Sequence, residues 1–327
     1  MRRVLYFFLG LLIGVVLVAA GFRVAAALRE SDPLQVVLPA EGRIVQTDAG
    51  ALHVIEMGPP DGPPLLFLHG TAAWSGLWQP VLGAMAAQGY RAIALDMPPF
   101  GFSERSPGDS HDRAAQAARI LALLKALQVR PVLVAHSFGA GPGVEAVMQA
   151  PDAFAGLVVV DGALGIGGAA GSADLPLPLK NRFLREVIVA NTVTNPFLTR
   201  RLLASFLHVK SAATEEVATV LRQPMTRQGS TAAFAAWLPS LLVPDRGAQS
   251  VRAASYGALC LPTVFLWGAE DTVTPLDQGR EAAALVPGAA LLVMSGVGHI
   301  PQLEAPDVFL TALGMALDRV EGRGPTC

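Results

Sequence analysis

The chain of 327 residues is 52% hydrophobic and only 15% charged, and its formal net charge is -2. This near balance gives no electrostatic argument for binding nucleic acid, and the length allows one large domain or two smaller ones. Two cysteines, Cys260 and Cys327, are too few for a disulfide framework or a thiolate metal site.

An uncharged apolar stretch, Val4–Phe22, lies between Arg3 and Arg23. As a helix it spans about 28 Å, close to the hydrocarbon thickness of a bilayer. It is longer than the apolar region of a typical signal peptide, so we predict an uncleaved transmembrane anchor at residues 1–23. The alternative is a cleaved signal, because Val18-Ala19-Ala20 and Ala25-Ala26-Ala27 offer small residues to a peptidase.

Positive charge at the N-terminus predicts the orientation of this segment. Arg2 and Arg3 favour a cytoplasmic N-terminus, which places the remaining chain on the extracytoplasmic side. Arg23 and Arg29 lie beyond the apolar stretch and oppose that orientation in part. Cleavage of the segment would instead give a secreted protein. Residues 24–42 are predicted to be a linker, because Asp32-Pro33 discourages a long helix there.

Short apolar runs and helical patterns then alternate, which predicts parallel strands joined by helices. A hairpin comes first, with strands at Arg43–Thr47 and Ala51–Met57. Further strands are predicted at Leu65–Leu68, Arg91–Leu95, Val132–Ala135, Leu157–Val160, Thr263–Trp267 and Ala290–Met294. Helices are predicted near Trp78–Gln88, His111–Leu127, Gly139–Gln149 and Leu303–Leu317, with one more after Pro275.

This alternation stops between Leu164 and Ala254, where apolar residues recur at helical spacing and no strand pattern is found. We therefore predict a core formed by residues 43–163 and 255–327, with a helical cap at 164–254 inserted after the sixth strand. The predicted fold class is α/β, with a mostly parallel sheet covered by helices on both faces and an N-terminal transmembrane helix.

Ser137 lies where a strand pattern, the sequence Ala135-His136-Ser137-Phe138-Gly139 and a helix pattern follow one another. This is the arrangement of a nucleophile elbow, in which a serine on a strained turn projects above the sheet. Small residues two places before and after the serine let the strand and the helix approach closely. Ala135 stands where glycine is usual, and we expect the turn to tolerate it.

Two further residues follow predicted strands in the order that a catalytic triad requires. Asp271 lies in Trp267–Pro275 after one strand, and His299 lies in Ser295–Pro301 after the last. We expect His299 to accept the proton of Ser137 while Asp271 fixes the tautomer of the imidazole. Asp161, which follows another strand, is an alternative acid.

Backbone donors near Ser137 are expected to form an oxyanion hole. The strand Leu65–Leu68 leads into His69-Gly70-Thr71, and the N–H groups of Thr71 and Phe138 are the natural donors. His69 is expected to pack the turn, and His136 to support the site without reacting. Asp96, Ser103 and Glu304 are expected to hold loops by hydrogen bonds.

These motifs resemble the α/β-hydrolase superfamily, in the branch whose helical cap follows the sixth strand. The resemblance covers about residues 43–320. It rests on these matching pieces: His69-Gly70, Asp96–Ser103, the Ser137 elbow, Gly268–Asp271 and Gly298-His299. Pro99 departs from the family pattern, which has glycine at that place. The resemblance implies an esterase, a lipase, a C–C bond hydrolase or a cofactor-free haloperoxidase-like enzyme, and Ser137 argues against relatives that cleave epoxides or haloalkanes with Asp.

The predicted function is hydrolysis of a carboxylic ester by two-step acyl transfer. The apolar cap suggests an uncharged apolar substrate, and the anchor makes a lipid-like ester a natural choice. Trp74, Trp78 and His208 are candidate pocket residues. We expect no cofactor and no metal, since no cluster of ligands has metal-binding spacing. The alternatives are the C–C and haloperoxidase-like chemistries, or a binding protein that has lost turnover.

Overall fold

The computed structural model describes residues 2–105, 108, 110–167, 174–243, 245 and 247–322. Eight strands form a single sheet in the order β1-β2-β4-β3-β5-β6-β7-β8. The strands are β1 Gly42–Thr47, β2 Gly50–Met57, β3 Pro64–Leu68, β4 Arg91–Leu95, β5 Val132–His136, β6 Gly156–Val160, β7 Thr263–Gly268 and β8 Ala290–Met294. Each strand that the sequence predicts is confirmed to within one residue at either end.

The sheet is mostly parallel, as the sequence predicts. Strand β1 pairs antiparallel with β2, and β2 pairs antiparallel with β4. All other neighbouring strands are parallel. Side chains alternate along each strand, so in β3 Leu66 and Leu68 enter one apolar core while Leu65 and Phe67 enter the other. The central strands β3 and β6 are therefore buried on both faces, which explains why they are apolar throughout.

The helices divide between the two faces of the sheet and the cap. They are α1 Arg2–Arg29, α2 Leu34–Val37, α3 Gln79–Ala87, α4 Arg113–Leu127, α5 Ala140–Gln149, α6 Leu177–Lys180, α7 Arg182–Asn191, α8 Thr199–Phe206, α9 Glu215–Arg222, α10 Ser230–Leu242, α11 Ala253–Tyr256, α12 Leu276–Leu285, α13 Pro301–Glu304 and α14 Pro306–Glu321. Helices α4, α5 and α12 cover one face of the sheet, and α3 and α14 cover the other.

The chain between β6 and β7 contains helices and turns, and none of its described residues forms a strand. This agrees with the predicted cap. Residues 168–173, near the start of the predicted cap, lie outside the described residues. Because β6 and β7 are adjacent parallel strands, the inserted segment leaves the sheet at the carboxyl end of β6 and returns to the amino end of β7. The cap contacts the carboxyl edge, where the residues predicted to be catalytic lie, since Phe206 of α8 lies against the ring of His299.

The N-terminal helix differs from the sequence-based expectation. The predicted linker begins at residue 24, but α1 continues without a break to Arg29. Residues 2–18 are exposed along the whole helix surface, whereas Ala26 and Glu30 are buried. The last turns of α1 thus pack against the folded domain, because one side of them is covered by the cap.

Candidate active site

Ser137 stands at the sharp turn between β5 and α5. Its φ angle is +51°, a left-handed conformation that a serine rarely adopts. A Cβ at Gly139 would lie 2.7 Å from the carbonyl oxygen of His69, so only glycine fits at that position. A Cβ at Gly143 in α5 would lie 3.2 Å from the Cβ of Ala135. Glycine at 143 thus makes the room that the usual glycine at 135 would provide.

Ser137, His299 and Asp271 form a continuous hydrogen-bonded chain. The Oγ of Ser137 lies 2.8 Å from Nε2 of His299, and Nδ1 of His299 lies 2.8 Å from Oδ2 of Asp271. Since a carboxylate only accepts, Nδ1 carries the proton and Nε2 is left to accept from the serine hydroxyl. All three residues are buried, with exposures of 7%, 3% and 5% in that order.

Asp271 is held as a carboxylate by the donors around it. Its Oδ1 accepts from the backbone N–H groups of Val273 at 2.7 Å and Thr274 at 3.0 Å. Its Oδ2 accepts from the Thr274 hydroxyl at 2.7 Å as well as from His299. Burial alone would raise the pKa of Asp271, but these hydrogen bonds and the imidazole outweigh it and lower the pKa below its usual range.

Asp161, the alternative acid, has a different environment. Its Oδ1 accepts from the N–H of Gly268 at 2.7 Å, whereas its buried Oδ2 has no hydrogen-bond partner among the described residues. Nδ1 of His299 bonds to Asp271. Burial raises the pKa of Asp161 well above its usual range, and the neighbouring Asp271 charge raises it further. The geometry therefore joins Asp271 to the imidazole and gives Asp161 the surroundings of a neutral acid.

The two predicted oxyanion donors flank the serine. A Cβ on Gly70 would lie 3.1 Å from the Cβ of Ser137, so the strand β3 turn passes directly over the nucleophile. The next residue along that turn is Thr71. Phe138 begins the α5 side of the elbow, where helix N–H groups lack partners within the helix. This arrangement agrees with the predicted donors Thr71 and Phe138, whose role stays a prediction.

Two further histidines support the loops around the site. His69 accepts from the N–H of Met97 at Nε2, 3.0 Å away, and donates from Nδ1 to the Gly70 carbonyl at 2.8 Å. Burial lowers the pKa of His69. His136 lies 2.8 Å through Nε2 from the carbonyl oxygen of His299, and burial followed by the His299 charge lowers its pKa to about 3. Both are neutral and hold backbone in place.

Glu304 fixes the segment that carries the catalytic histidine and ties it to the cap. Its Oε2 accepts from the backbone N–H groups of His208 and Val209, each at 2.8 Å, and from Gly298 at 3.1 Å. Its Oε1 accepts from the N–H of Ile300 at 3.1 Å. One carboxylate therefore bonds to the backbone on both sides of His299 and to the cap. The sequence predicts that Glu304 holds a loop by hydrogen bonds, but it does not predict the bonds to the cap.

The predicted pocket residues are placed unequally. Trp74 and Trp78 are only 2% and 1% exposed and pack in the apolar core beside β3. Trp74 also donates from Nε1 to the carbonyl of Val220 in the cap at 2.7 Å. Core packing accounts for both tryptophans, which corrects the expectation that they line the pocket. His208 has an exposed side chain, and its backbone contacts the loop before His299.

Two features that the sequence did not single out adjoin the triad. The ring of Phe206, at the end of α8, lies 6.3 Å from the ring of His299 and is 38% exposed. A cavity of about 680 Å³ is lined by Phe138 and Thr274 from the core and by Leu179 and Leu241 from the cap. Because Thr274 contacts Asp271, this cavity lies next to the catalytic chain. Phe206 belongs to an apolar stripe at helical spacing in the sequence, but its place beside His299 depends on how the cap packs on the core, as does the cavity.

Comparison with known proteins places this geometry in a family. Residues 63–306 match the family model described as the alpha/beta hydrolase fold. A 2-hydroxymuconate semialdehyde hydrolase of Pseudomonas sp. (strain CF600) is 29% identical over 262 residues, which cover 77% of this chain and 86% of the relative.

Solved structures show the same fold at lower identity. A meta-cleavage product hydrolase matches with a TM-score of 0.65 and 22% identity, over 85% of this chain and 98% of its own. A membrane phospholipase A matches with a TM-score of 0.66 and 20% identity, over 99% of this chain and 100% of its own. The second match is long enough to include α1.

Proposed function

This chain belongs to the α/β-hydrolase family, and we propose that within it the chain is a serine hydrolase with Ser137 as nucleophile, His299 as base and Asp271 as acid. One observation carries the proposal. The hydrogen-bonded chain from Ser137 Oγ through His299 to Asp271 has 2.8 Å at both links. That spacing is what proton transfer from a nucleophile to a base requires.

The proposed reaction proceeds in two steps. Ser137 Oγ attacks the substrate carbonyl carbon as its proton passes to Nε2 of His299, and the N–H groups of Thr71 and Phe138 stabilise the oxyanion. The bond to the leaving group breaks and the leaving group takes the proton from His299. Water then gives a proton to His299 and attacks the acyl-serine, which releases a carboxylic acid and restores the hydroxyl.

The named relatives favour cleavage of a C–C bond over the ester hydrolysis predicted from the sequence. The Pseudomonas relative is a 2-hydroxymuconate semialdehyde hydrolase, and one of the matching structures is that of a meta-cleavage product hydrolase. Carbon is a poor leaving group, so such a substrate needs a conjugated carbonyl to hold the released electron pair. We therefore propose C–C hydrolysis of a vinylogous diketone as the first candidate.

A carboxylic ester with an apolar acyl chain is the second candidate. The observation that favours it is the apolar helix α1. This helix is long and apolar enough to cross a membrane, and its residues 2–18 are not covered by the rest of the protein. We propose that this helix anchors the chain in a membrane with the catalytic domain on the extracytoplasmic side. Lipid-like esters would then be available next to the cap. Cleavage after Ala27 would cut the helix within its packed segment, so the structure favours an intact anchor over that site.

Turnover by the purified full-length chain in detergent tests both candidates. We expect a vinylogous diketone to be cleaved faster than any member of a chain-length series of p-nitrophenyl esters, with Ser137→Ala inactive on both. Turnover of esters alone, rising with acyl length, would reject the first candidate and support the second. Equal rates for wild type and Ser137→Ala would reject the serine hydrolase altogether.

The anchor has a separate test. We expect the chain to stay with membranes after an alkaline carbonate wash and its N-terminal sequence to start at residue 1 or 2. A soluble form that begins near Gly21 or Leu28 would show a cleaved signal instead.

A further inference from the structure

Helix α1 and helix α7 of the cap are joined by polar contacts along their shared length. Arg23 forms an ion pair with Glu186 at 2.7 Å, and both side chains are largely covered. Asn191 donates from Nδ2 to the carbonyl oxygen of Ala19 at 3.1 Å. The covered residues of α1 recur at helical spacing and so form one side of the helix. They are Ala19, Phe22, Arg23, Ala26, Arg29 and, just beyond the helix, Glu30. The cap and this part of α1 are therefore packed together and joined by polar contacts.

The end of α1 is fixed by two further contacts. Arg29 donates to the carbonyl of Thr194 at 2.8 Å. The buried carboxylate of Glu30 accepts from the N–H of Thr231 at 2.8 Å and from its hydroxyl. These bonds join α1 to the start of α10 and to the loop after α7. The orientation of the cap relative to α1 is consequently set at both ends of the packed segment.

These contacts also set the level of the cap along α1. Helix α7 runs antiparallel to α1, since its Glu186 meets Arg23 while its last residue meets Ala19. The apolar stretch of α1 ends at Phe22, so Ala19 lies about 4.5 Å inside that end. The C-terminal end of α7 therefore lies at the level of the last apolar turn of α1.

The same end of α7 carries exposed apolar side chains. Ile188 is 38% exposed and lies one turn before Asn191, at a level between Ala19 and Arg23. Leu184, one turn further from the membrane end, is 42% exposed. The described residues leave these fractions of the two apolar side chains uncovered. A bilayer spanned by α1 would cover the exposed parts, because its interfacial zone extends several ångströms beyond the hydrocarbon core.

We propose that the exposed side of α7 around Ile188 contacts the headgroup–acyl boundary of the phospholipid bilayer that α1 spans, so that the cap rests on the membrane. This inference depends on the anchor proposed above and not on the bond that the enzyme cleaves. It gives the cap a second role beyond covering the catalytic edge. The active site is then held at a fixed height above the lipid surface by the pairing of α7 with α1.

Quenching by brominated acyl chains measures this contact in the full-length chain. The probes are Ile188→Trp and Leu184→Trp, reconstituted in vesicles of phosphatidylcholine and phosphatidylglycerol with or without bromine on the phosphatidylcholine acyl chains. The matched control is Ala126→Trp, which is exposed on α4 just before β5, at the edge of the sheet opposite the cap. The four native tryptophans are subtracted with the wild-type signal.

We expect the fluorescence added by Ile188→Trp to be largely lost in brominated vesicles, that of Leu184→Trp to fall less, and that of Ala126→Trp to stay unchanged. Turnover of each variant at the wild-type rate shows that it is folded. If the fluorescence added by Ile188→Trp is quenched in brominated vesicles no more than that added by Ala126→Trp, in chains that float with the vesicles, the inference is overturned while the anchor stands. Chains that do not float after a carbonate wash would overturn both, and measured turnover would still support the hydrolase.

Discussion

Replacing Asp271 by asparagine separates the two candidate acids more sharply than any other substitution in the site. Oδ1 of Asp271 accepts from two backbone N–H groups, so an amide must keep its oxygen on that side. Its NH₂ group then points at Nδ1 of His299. A donor at this place forces the proton of the imidazole onto Nε2, where it can no longer accept from Ser137.

The magnitude follows from this change of tautomer. Loss of the correct tautomer in a serine triad lowers kcat by about 10⁴-fold, or about 5.4 kcal/mol in the barrier. Asp161→Asn should behave differently. Its amide oxygen can still accept from the N–H of Gly268, and the residue makes no bond to His299 that the amide could disturb. We expect a loss of less than about tenfold, below 1.4 kcal/mol.

The assay is kcat for both asparagine variants and wild type, on whichever substrate the wild type turns over, with near-ultraviolet circular dichroism to confirm the fold. A large loss in Asp161→Asn with little change in Asp271→Asn would refute the reasoning and assign the acid to Asp161. Similar losses in both variants would show that the two carboxyls act as one unit.

Three further predictions follow from packing and charge. Gly70→Ala places a Cβ against the proposed nucleophile Ser137 and should lower kcat by about 10²-fold. The control is Gly83→Ala in α3, where an added Cβ meets nothing within 4 Å. It should leave kcat unchanged and raise the free energy of unfolding by about 0.5–1 kcal/mol. The raised pKa of Asp161 means that the native state keeps a proton that the unfolded chain has lost, so the free energy of unfolding of wild type relative to Asp161→Asn should fall above about pH 4 by up to 1.4 kcal/mol per pH unit. Equal pH slopes for the two proteins in urea would exclude this source. Deleting residues 2–18 should leave the midpoint of urea unfolding in detergent unchanged. Deleting residues 2–30 should lower that midpoint, because buried side chains that pack on the cap are lost. Equal midpoints would show that this packing contributes nothing to stability.

The sheet and its edge residues could be predicted from the sequence because both depend on local patterns. A strand buried on both faces is apolar throughout, and glycine or a small residue is needed wherever the elbow brings backbone close. Ser137, Asp271 and His299 each follow such a strand, and the carboxyl ends of parallel strands meet at one edge. Their meeting in space therefore follows from topology alone.

The parts that could not be predicted depend on packing between distant segments. Trp74 and Trp78 follow the oxyanion turn closely enough to suggest a pocket, but their rings turn into the core. Prolines after residue 31 suggest a linker, yet they do not prevent α1 from continuing to Arg29, where the cap covers one side of it. Asp161 bonds to the loop of Asp271 through Gly268 and Thr274, which lie far from it in the chain, and no spacing in the sequence reports this.

Covalent labelling shows whether Ser137 is an activated nucleophile. The folded full-length chain in detergent is treated with a fluorophosphonate probe and its peptides are examined by mass spectrometry. We expect one adduct, on the peptide that contains Ser137, and none in Ser137→Ala. No adduct on folded wild type, or equal labelling of Ser137→Ala, would contradict this expectation and favour a binding protein that keeps the fold without turnover.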